Sequence, residues 1–392
     1  MKLLQINVTA NWGSHGRIAE GIGQEAMARG WDSTIAYGRY MNSSQSRLIR
    51  VGTQFDVYAH YARHRFLDGE GFGSKKATLR LLAEIDLLAP DIIQLHIIHG
   101  HWLNYPLLFK YLATISTPVV WALHDCWAFT GGCPYFELPP CDKWKTRCEN
   151  CPAKHGKITQ TAKHFADRQK LISGFGDRLT IVPVSRWLDR YVGESFLKDY
   201  RRVMIHNGVD TARFRVIGPK TKKPLVLGVA NFWDCRKGLS DFFDLRKRLD
   251  PHNVQIALVG LSRSQIKSLP KGIYGVPKTQ DIRKLVQLYN SAAVLANPTY
   301  ADNFPSVNLE ALACGTPVIT YRTGGSPEAI DPDTGIVVDK GNVDAMANAI
   351  LSVIDDPAKY TSATCRRRAE TNFSNDLQSG QYLSLYTSLL HP

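Results

Sequence analysis

At 392 residues the chain is longer than one ordinary core, and two domains of about 150–200 residues are the natural division. An apolar share of 44% with 21% charged residues is that of a soluble globular protein, and no apolar run approaches the roughly 18 residues needed to span a bilayer. The net charge of +13 calls for an acidic partner such as nucleic acid, anionic lipid headgroups or a nucleotide diphosphate, yet the basic residues are scattered (63–80, 143–170, 366–368) and form no dense RNA-binding block.

In chain order, the opening Met1-Lys2-Leu3-Leu4-Gln5-Ile6-Asn7-Val8 is too short and too polar for a signal peptide. It reads as a buried first strand, which predicts a cytoplasmic protein with reduced thiols. Short apolar runs then alternate with helical patterns, predicting α/β architecture with parallel sheets. First-half strands are predicted at 3–8, 33–37, 92–95, 119–123 and 180–183, with helices at 17–28 and 105–113 among others. Second-half strands are predicted at 225–229, 256–259, 293–296, 318–321 and 335–338, with helices at 238–249, 281–290, 306–313 and 343–354. Two such series predict two Rossmann-like domains, 1–200 and 201–375, with a linker near 199–205 and a last helix at 376–390 packing back on the first domain. Ligands of open α/β sheets bind beyond the carboxyl ends of the strands, so two such domains would face each other across a cleft.

The chemistry-bearing segments sit at those strand ends. Thr9 to Arg17 is a loop in which Gly13 and Gly16 would let the backbone approach a diphosphate or sugar closely. Gly21-Ile22-Gly23-Gln24-Glu25-Ala26 superficially fits a dinucleotide fingerprint but falls mid-helix, where that motif has no function. His96, His99 and His101 follow the 92–95 strand, and His124-Asp125 follows the 119–123 strand. Cys133, Cys141, Cys148 and Cys151 form a C-x7-C-x6-C-x2-C array. In a reducing compartment that spacing favours a structural zinc site over disulfides, with four free thiols as the alternative. Gly228 to Gly238 follows a strand and opens a helix, the setting for phosphate-binding cations, and carries Arg236 and Lys237. From Asp302 to Ile319 the pattern is loop, short helix started by Pro305 and Ser306, glycine stop at Gly315, and strand. A helix N-terminus is a ready anion site, and Asp302 and Glu310 can face one pocket from different depths.

Asp302-Asn303-Phe304-Pro305-Ser306-Val307-Asn308-Leu309-Glu310 resembles the acid-x7-acid motif of glycosyltransferase family four, the retaining GT-B enzymes, with Asp302 where that family usually has Glu. Gly324-Gly325-Ser326-Pro327-Glu328 is similar to the family's next segment, with Ser326 read as an N-cap and Pro327 as the first helical residue. In the family, an arginine and a lysine in the loop matching 228–238 hold the donor diphosphate. Lys237 aligns with that lysine, and Arg236 takes over the charge of an arginine that is missing earlier in the loop. His124 to Cys133, with Cys-Asp-Lys-Trp-Lys at 141–145, resembles a branch of bacterial capsule and colanic-acid-type glycosyltransferases.

The resemblance implies a GT-B glycosyltransferase moving a hexose-type sugar from a nucleotide-sugar donor to a glycan or lipid-linked glycan acceptor in surface polysaccharide biosynthesis. On this reading Glu310 holds the ribose, Arg236 and Lys237 the diphosphate, and Asp302 with the backbone at Phe304, Pro305 and Ser306 the sugar. His124 touches the sugar from the first domain, while His96 and His99 (and His101) line the acceptor side. No cofactor is required for catalysis, nucleic acid is not a partner, and the first domain would touch an anionic membrane at its inner face. Retention follows a front-face route in which the leaving phosphate takes the acceptor's proton, or a double displacement through a carboxylate. The rival readings are a nucleotide-sugar epimerase of the same fold and a zinc-stabilised nucleic-acid binder.

Overall fold

The computed structural model describes residues 1–154, 159–249, 254–279 and 281–391; Lys157, one of the scattered basic residues, lies outside them. The chain divides into two units, Met1–His206 with Gln378–Pro392, and Asn207–Leu377.

In the first unit, strands β1 (Lys2–Asn7), β2 (Asp32–Tyr37), β3 (Arg47–Arg50), β4 (Ile92–Leu95), β5 (Val119–Leu123), β6 (Leu179–Pro183) and β7 (Arg201–Arg202) make one sheet in the order β3-β2-β1-β4-β5-β6-β7. Every neighbouring pair is parallel. Strands β4, β5 and β6 are buried along their whole length, which is why they read as continuous apolar runs rather than as alternating ones. The edge strands β3 and β7 carry arginines on a half-exposed or exposed backbone and have no apolar signal to read. The segment expected to be a linker is this second edge. Arg201–Arg202 pairs with β6, and the N–H groups of Val203 and Ile205 donate to Ile181 O and Pro183 O. The division therefore falls between His206 and Asn207.

Leu3, Ile18, Ile22, Ile92, Val120 and Val182 share one core with Tyr382, Leu383 and Tyr386 of the final helix, Asn375–Leu390. The Tyr386 hydroxyl donates to Gln94 Oε1 in the interior, which gives the amide oxygen of the one polar side chain of β4 a partner.

The second unit has β8 (Leu225–Val229), β9 (Gln255–Leu261), β10 (Ile273–Pro277), β11 (Val294–Asn297), β12 (Val318–Tyr321) and β13 (Gly335–Val338), in the order β10-β9-β8-β11-β12-β13 and all parallel. Its core is built from Val226, Phe242, Leu245, Ile256, Leu258, Val294, Ile319 and Ile350. Strand β10 has no counterpart among the predicted strands, because Gly275 and Pro277 interrupt its apolar pattern and its register shifts at that end. In each sheet the strand order reverses beside the first strand, between β1 and β4 and between β8 and β11. That reversal opens a crevice at the carboxyl ends, where open α/β sheets bind ligands. Among the described residues no helix is long and apolar enough to cross a membrane.

Candidate active site

Each unit brings its own set of polar residues to its switch point. In the second unit the loop after β8 ends in a short 3-10 turn, Cys235–Lys237, followed by Gly238 at φ +67°. A Cβ on Gly238 would lie 2.2 Å from Pro298 O, so only glycine lets this turn press against the end of β11. That approach delivers both cations to the β11 loop. Arg236 Nη1 donates to Ala301 O at 3.0 Å, and Arg236 O accepts from Tyr300 N at 2.7 Å. Lys237 Nζ is ion-paired with Asp302 Oδ2, the two side chains being 17% and 14% exposed.

Pro305 is the N-cap of the helix Ser306–Ala313 and makes no side-chain cap bond, so the cap residue itself offers the first-turn N–H groups no side-chain acceptor. Asn303, Phe304 and Pro305 are buried, so this loop offers its backbone rather than its side chains. Glu310 is 8% exposed, and its Oε2 accepts from Tyr289 Oη at 2.8 Å.

Beneath the loop lies a buried network that sequence reasoning did not find. Asn297 Nδ2 donates to Asn308 Oδ1 at 2.9 Å, Asn308 Nδ2 to Ser326 Oγ at 3.0 Å, and Ser326 and Thr320 share a bond at 2.6 Å. It ties β11, the 306–313 helix and β12 together. Its signal in the sequence is small polar residues inside otherwise apolar strands. Ser326 is therefore not a cap: Gly325 is the N-cap of a 3-10 turn, Ser326–Ala329, and the Ser326 hydroxyl is turned into the core.

In the first unit the helix begins at Gly13, four residues before the predicted start at 17. Gly13 has open space where a Cβ would stand, as a close backbone approach requires. Gly16 does not. A Cβ there would be 2.7 Å from Thr9 Oγ1, so its missing side chain makes room for the chain's own 9–11 loop. His15 Nδ1 bonds Asn7 Oδ1 at 3.1 Å.

The histidines after β4 separate into two groups. His96 is 2% exposed, with Nε2 3.0 Å from Gln5 Oε1 and Nδ1 3.1 Å from His124 Nε2. Gln5 Nε2 donates to Ala19 O at 2.7 Å, so its Oε1 is an acceptor. His96 therefore carries its proton on Nε2, and its bare Nδ1 accepts from His124 Nε2–H. Both ring nitrogens of His96 are thus used inside the unit, and His96 orients His124 instead of lining an acceptor surface. Burial, with His15 next, lowers the His96 pKa to about 3. Burial, then the neighbouring His96 and His15, lowers the His124 pKa well below its ordinary value. His99 Nε2 meets Asp125 Oδ2 at 2.8 Å. Burial opposes charge on His99, yet Asp125 raises its pKa above the ordinary value. His101 stands apart, bonded to His64 at 2.7 Å. Cys133, Cys141, Cys148 and Cys151 are free thiols that line one pocket of about 210 Å³. Among the described residues, no three His, Cys, Asp or Glu side chains stand together as a metal-binding set.

Two parallel Rossmann-like sheets, each with polar residues at its switch point, are the architecture of the GT-B fold. The sucrose-phosphate synthase of Thermosynechococcus elongatus superposes with a TM-score of 0.74 at 18% identity, over 99% of this chain and 98% of that one. Anabaena Alr3699/HepE in complex with UDP-glucose superposes at 0.67 and 15%, over 99% of this chain and 100% of that one. Residues 223–356 match the family model of glycosyl transferases group 1. The group 1 match lies within the second unit, and the chain has the GT-B fold. It is 23% identical, over 99% of its length and 100% of the relative's, to WcaC of Escherichia coli (strain K12), described as a candidate colanic acid biosynthesis glycosyl transferase. A local match of 42% identity, over 23% of this chain and 22% of the relative, joins it to the D-inositol 3-phosphate glycosyltransferase of Corynebacterium diphtheriae.

Proposed function

We propose that the chain transfers a hexose from a nucleotide-sugar donor to a glycan or lipid-linked glycan, with retention of anomeric configuration, in bacterial surface polysaccharide biosynthesis. The observation that carries this reading is the ion pair of Lys237 with Asp302 beside the open first turn of the 306–313 helix. A cation, a carboxylate and aligned N–H groups in one loop suit a sugar diphosphate, whose anionic and hydroxyl parts need opposite partners. Two comparisons support it: the full-length likeness to WcaC, and the fold shared with HepE, which was solved with UDP and with UDP-glucose.

In this reading Lys237 and Arg236 meet the charge that grows on the leaving diphosphate, and Asp302 takes sugar hydroxyls. Glu310 takes the ribose. The leaving phosphate accepts the acceptor's proton on the same face. The helix Gln54–Leu67, with Phe55, Tyr58, Tyr61 and Phe66 exposed beside Arg63 and Arg65, is the surface through which the first unit touches an anionic membrane.

A thermal-shift screen of nucleoside diphosphates and their sugars identifies the donor. Ligand at a hundred times its dissociation constant adds about 2.7 kcal/mol of stability. NMR of the glycoside formed from that donor then reads the anomer, and an inverted product would overturn the retaining assignment.

A further inference from the structure

The segment between Thr130 and Lys154 has almost no regular structure. It holds one 3-10 turn, Lys143–Lys145, and an isolated bridge between Glu137 and Pro140. A connection of this length inside a compact unit needs some other constraint to hold one conformation. Its base is fixed by Arg168, a buried side chain whose guanidinium lies 3.6 Å from the Trp127 ring centroid and donates to Trp127 O at 2.6 Å and to Thr130 O. Beyond that base, the residues that recur around the pocket are Cys133, Cys141, Cys148 and Cys151.

Two contacts at this pocket suit a metal-bound thiolate. Gly131 N–H donates to Cys148 Sγ at 3.1 Å, the kind of bond that steadies charge on sulfur. Trp144 also lines the pocket, is 1% exposed, and its Nε1–H has no hydrogen-bond acceptor among the described residues. A buried donor without a partner is costly, and a thiolate sulfur would satisfy it.

We propose that Cys133, Cys141, Cys148 and Cys151 bind one zinc ion as four thiolates, and that the ion fixes the fold of the 130–154 loop. Binding releases the four thiol protons to solvent and changes no oxidation state. The sulfurs must turn toward one another to close on the ion, and Cys133 gives up its present bond to Tyr135 O. The role is structural. It adds a site to the enzyme without entering the transfer reaction.

Elemental analysis of the full chain, purified under reducing conditions without chelator, tests it. About one zinc per chain is expected for a closed four-thiolate site. Exchange for cobalt should give the intense near-ultraviolet thiolate-to-cobalt band and the visible bands of tetrahedral coordination. Cys133→Ser and Cys148→Ser should each lose the metal. Should those variants fail to fold, the metal content and cobalt spectrum of the unmodified chain still decide. Metal-free protein with four freely reactive thiols overturns the proposal, and so do disulfides among these cysteines or a cobalt spectrum without the thiolate band.

Discussion

Lys237 and Asp302, 65 positions apart in the chain, are joined in one ion pair because Gly238 lets the turn after β8 press against the end of β11. Both side chains are mostly withdrawn from solvent, so each is the other's chief source of compensation. A ligand that brings its own phosphate and hydroxyls can replace each partner in turn. On the proposed function, the pair would keep a cation and a carboxylate in place until a donor arrives.

Lys237→Ala should cut turnover at saturating donor by about two to three orders of magnitude, the usual worth of one preorganised charge-stabilising group. Glu310→Gln should act differently, because ribose hydroxyls change little during transfer. It should raise the donor's Michaelis constant with turnover less affected. Steady-state kinetics on variants with wild-type circular dichroism make the comparison. Near-normal turnover in Lys237→Ala would move the phosphate role to Arg236.

Gly238→Ala should destabilise the chain far more than Gly13→Ala, although both glycines have positive φ, at +67° and +70°. Left-handed backbone alone costs an alanine about 1–2 kcal/mol. At Gly13 nothing else stands in the way, whereas at Gly238 the new methyl would meet Pro298 O at 2.2 Å. Urea unfolding of the two variants measures the gap, and equal losses would contradict the packing argument.

Stability should fall as pH drops from 7 toward 5. Burial is the leading cause that lowers the pKa of His60 and His96 to about 3 and of His15, His101 and His164 to about 4, and it lowers that of His124 as well. The unfolded chain binds protons on these residues below its own histidine pKa, near 6.5, while the folded chain does not, so their stabilisation is present above that value and lost below it. Each contributes up to about 1.4 kcal/mol per pH unit in that window. His99 opposes the trend. Its raised pKa adds stability below 6.5 that is lost as pH rises through the folded value, but it is one residue against six. Chemical unfolding at a series of pH values gives the slope, and a flat profile from 7 to 5 would refute the buried neutral state.

Binding to anionic vesicles should weaken when Phe55 and Phe66 are replaced by serine, since these two side chains are 78% and 74% exposed and support no core. Binding should also decline with salt, because charges at the surface are screened within about 8 Å at physiological ionic strength. Vesicle sedimentation reads both effects. Equal affinity for neutral and anionic vesicles would remove the electrostatic part of the contact.

The sequence alone determined the α/β class, the buried strands, the family resemblance and the loops that carry Lys237, Asp302 and His124. Each of these is written locally, in a continuous apolar run or a short motif, because a strand buried on both faces has few choices of side chain. The edge strands β3, β7 and β10 were not legible, since an edge is half solvated and tolerates arginine, glycine or proline. The division between the units was displaced for the same reason: Arg201–Arg202 has no apolar signal, and only its pairing with β6 makes it part of the sheet. Tertiary structure alone decided the partners. That His96 turns both nitrogens inward, to Gln5 and to His124, depends on a residue 91 positions away. That Ser326 joins Asn308 in the core instead of capping a turn depends on how β11 and β12 pack. Side-chain roles of this kind are set by which groups must find hydrogen bonds once water is excluded, and that is settled only when distant segments meet.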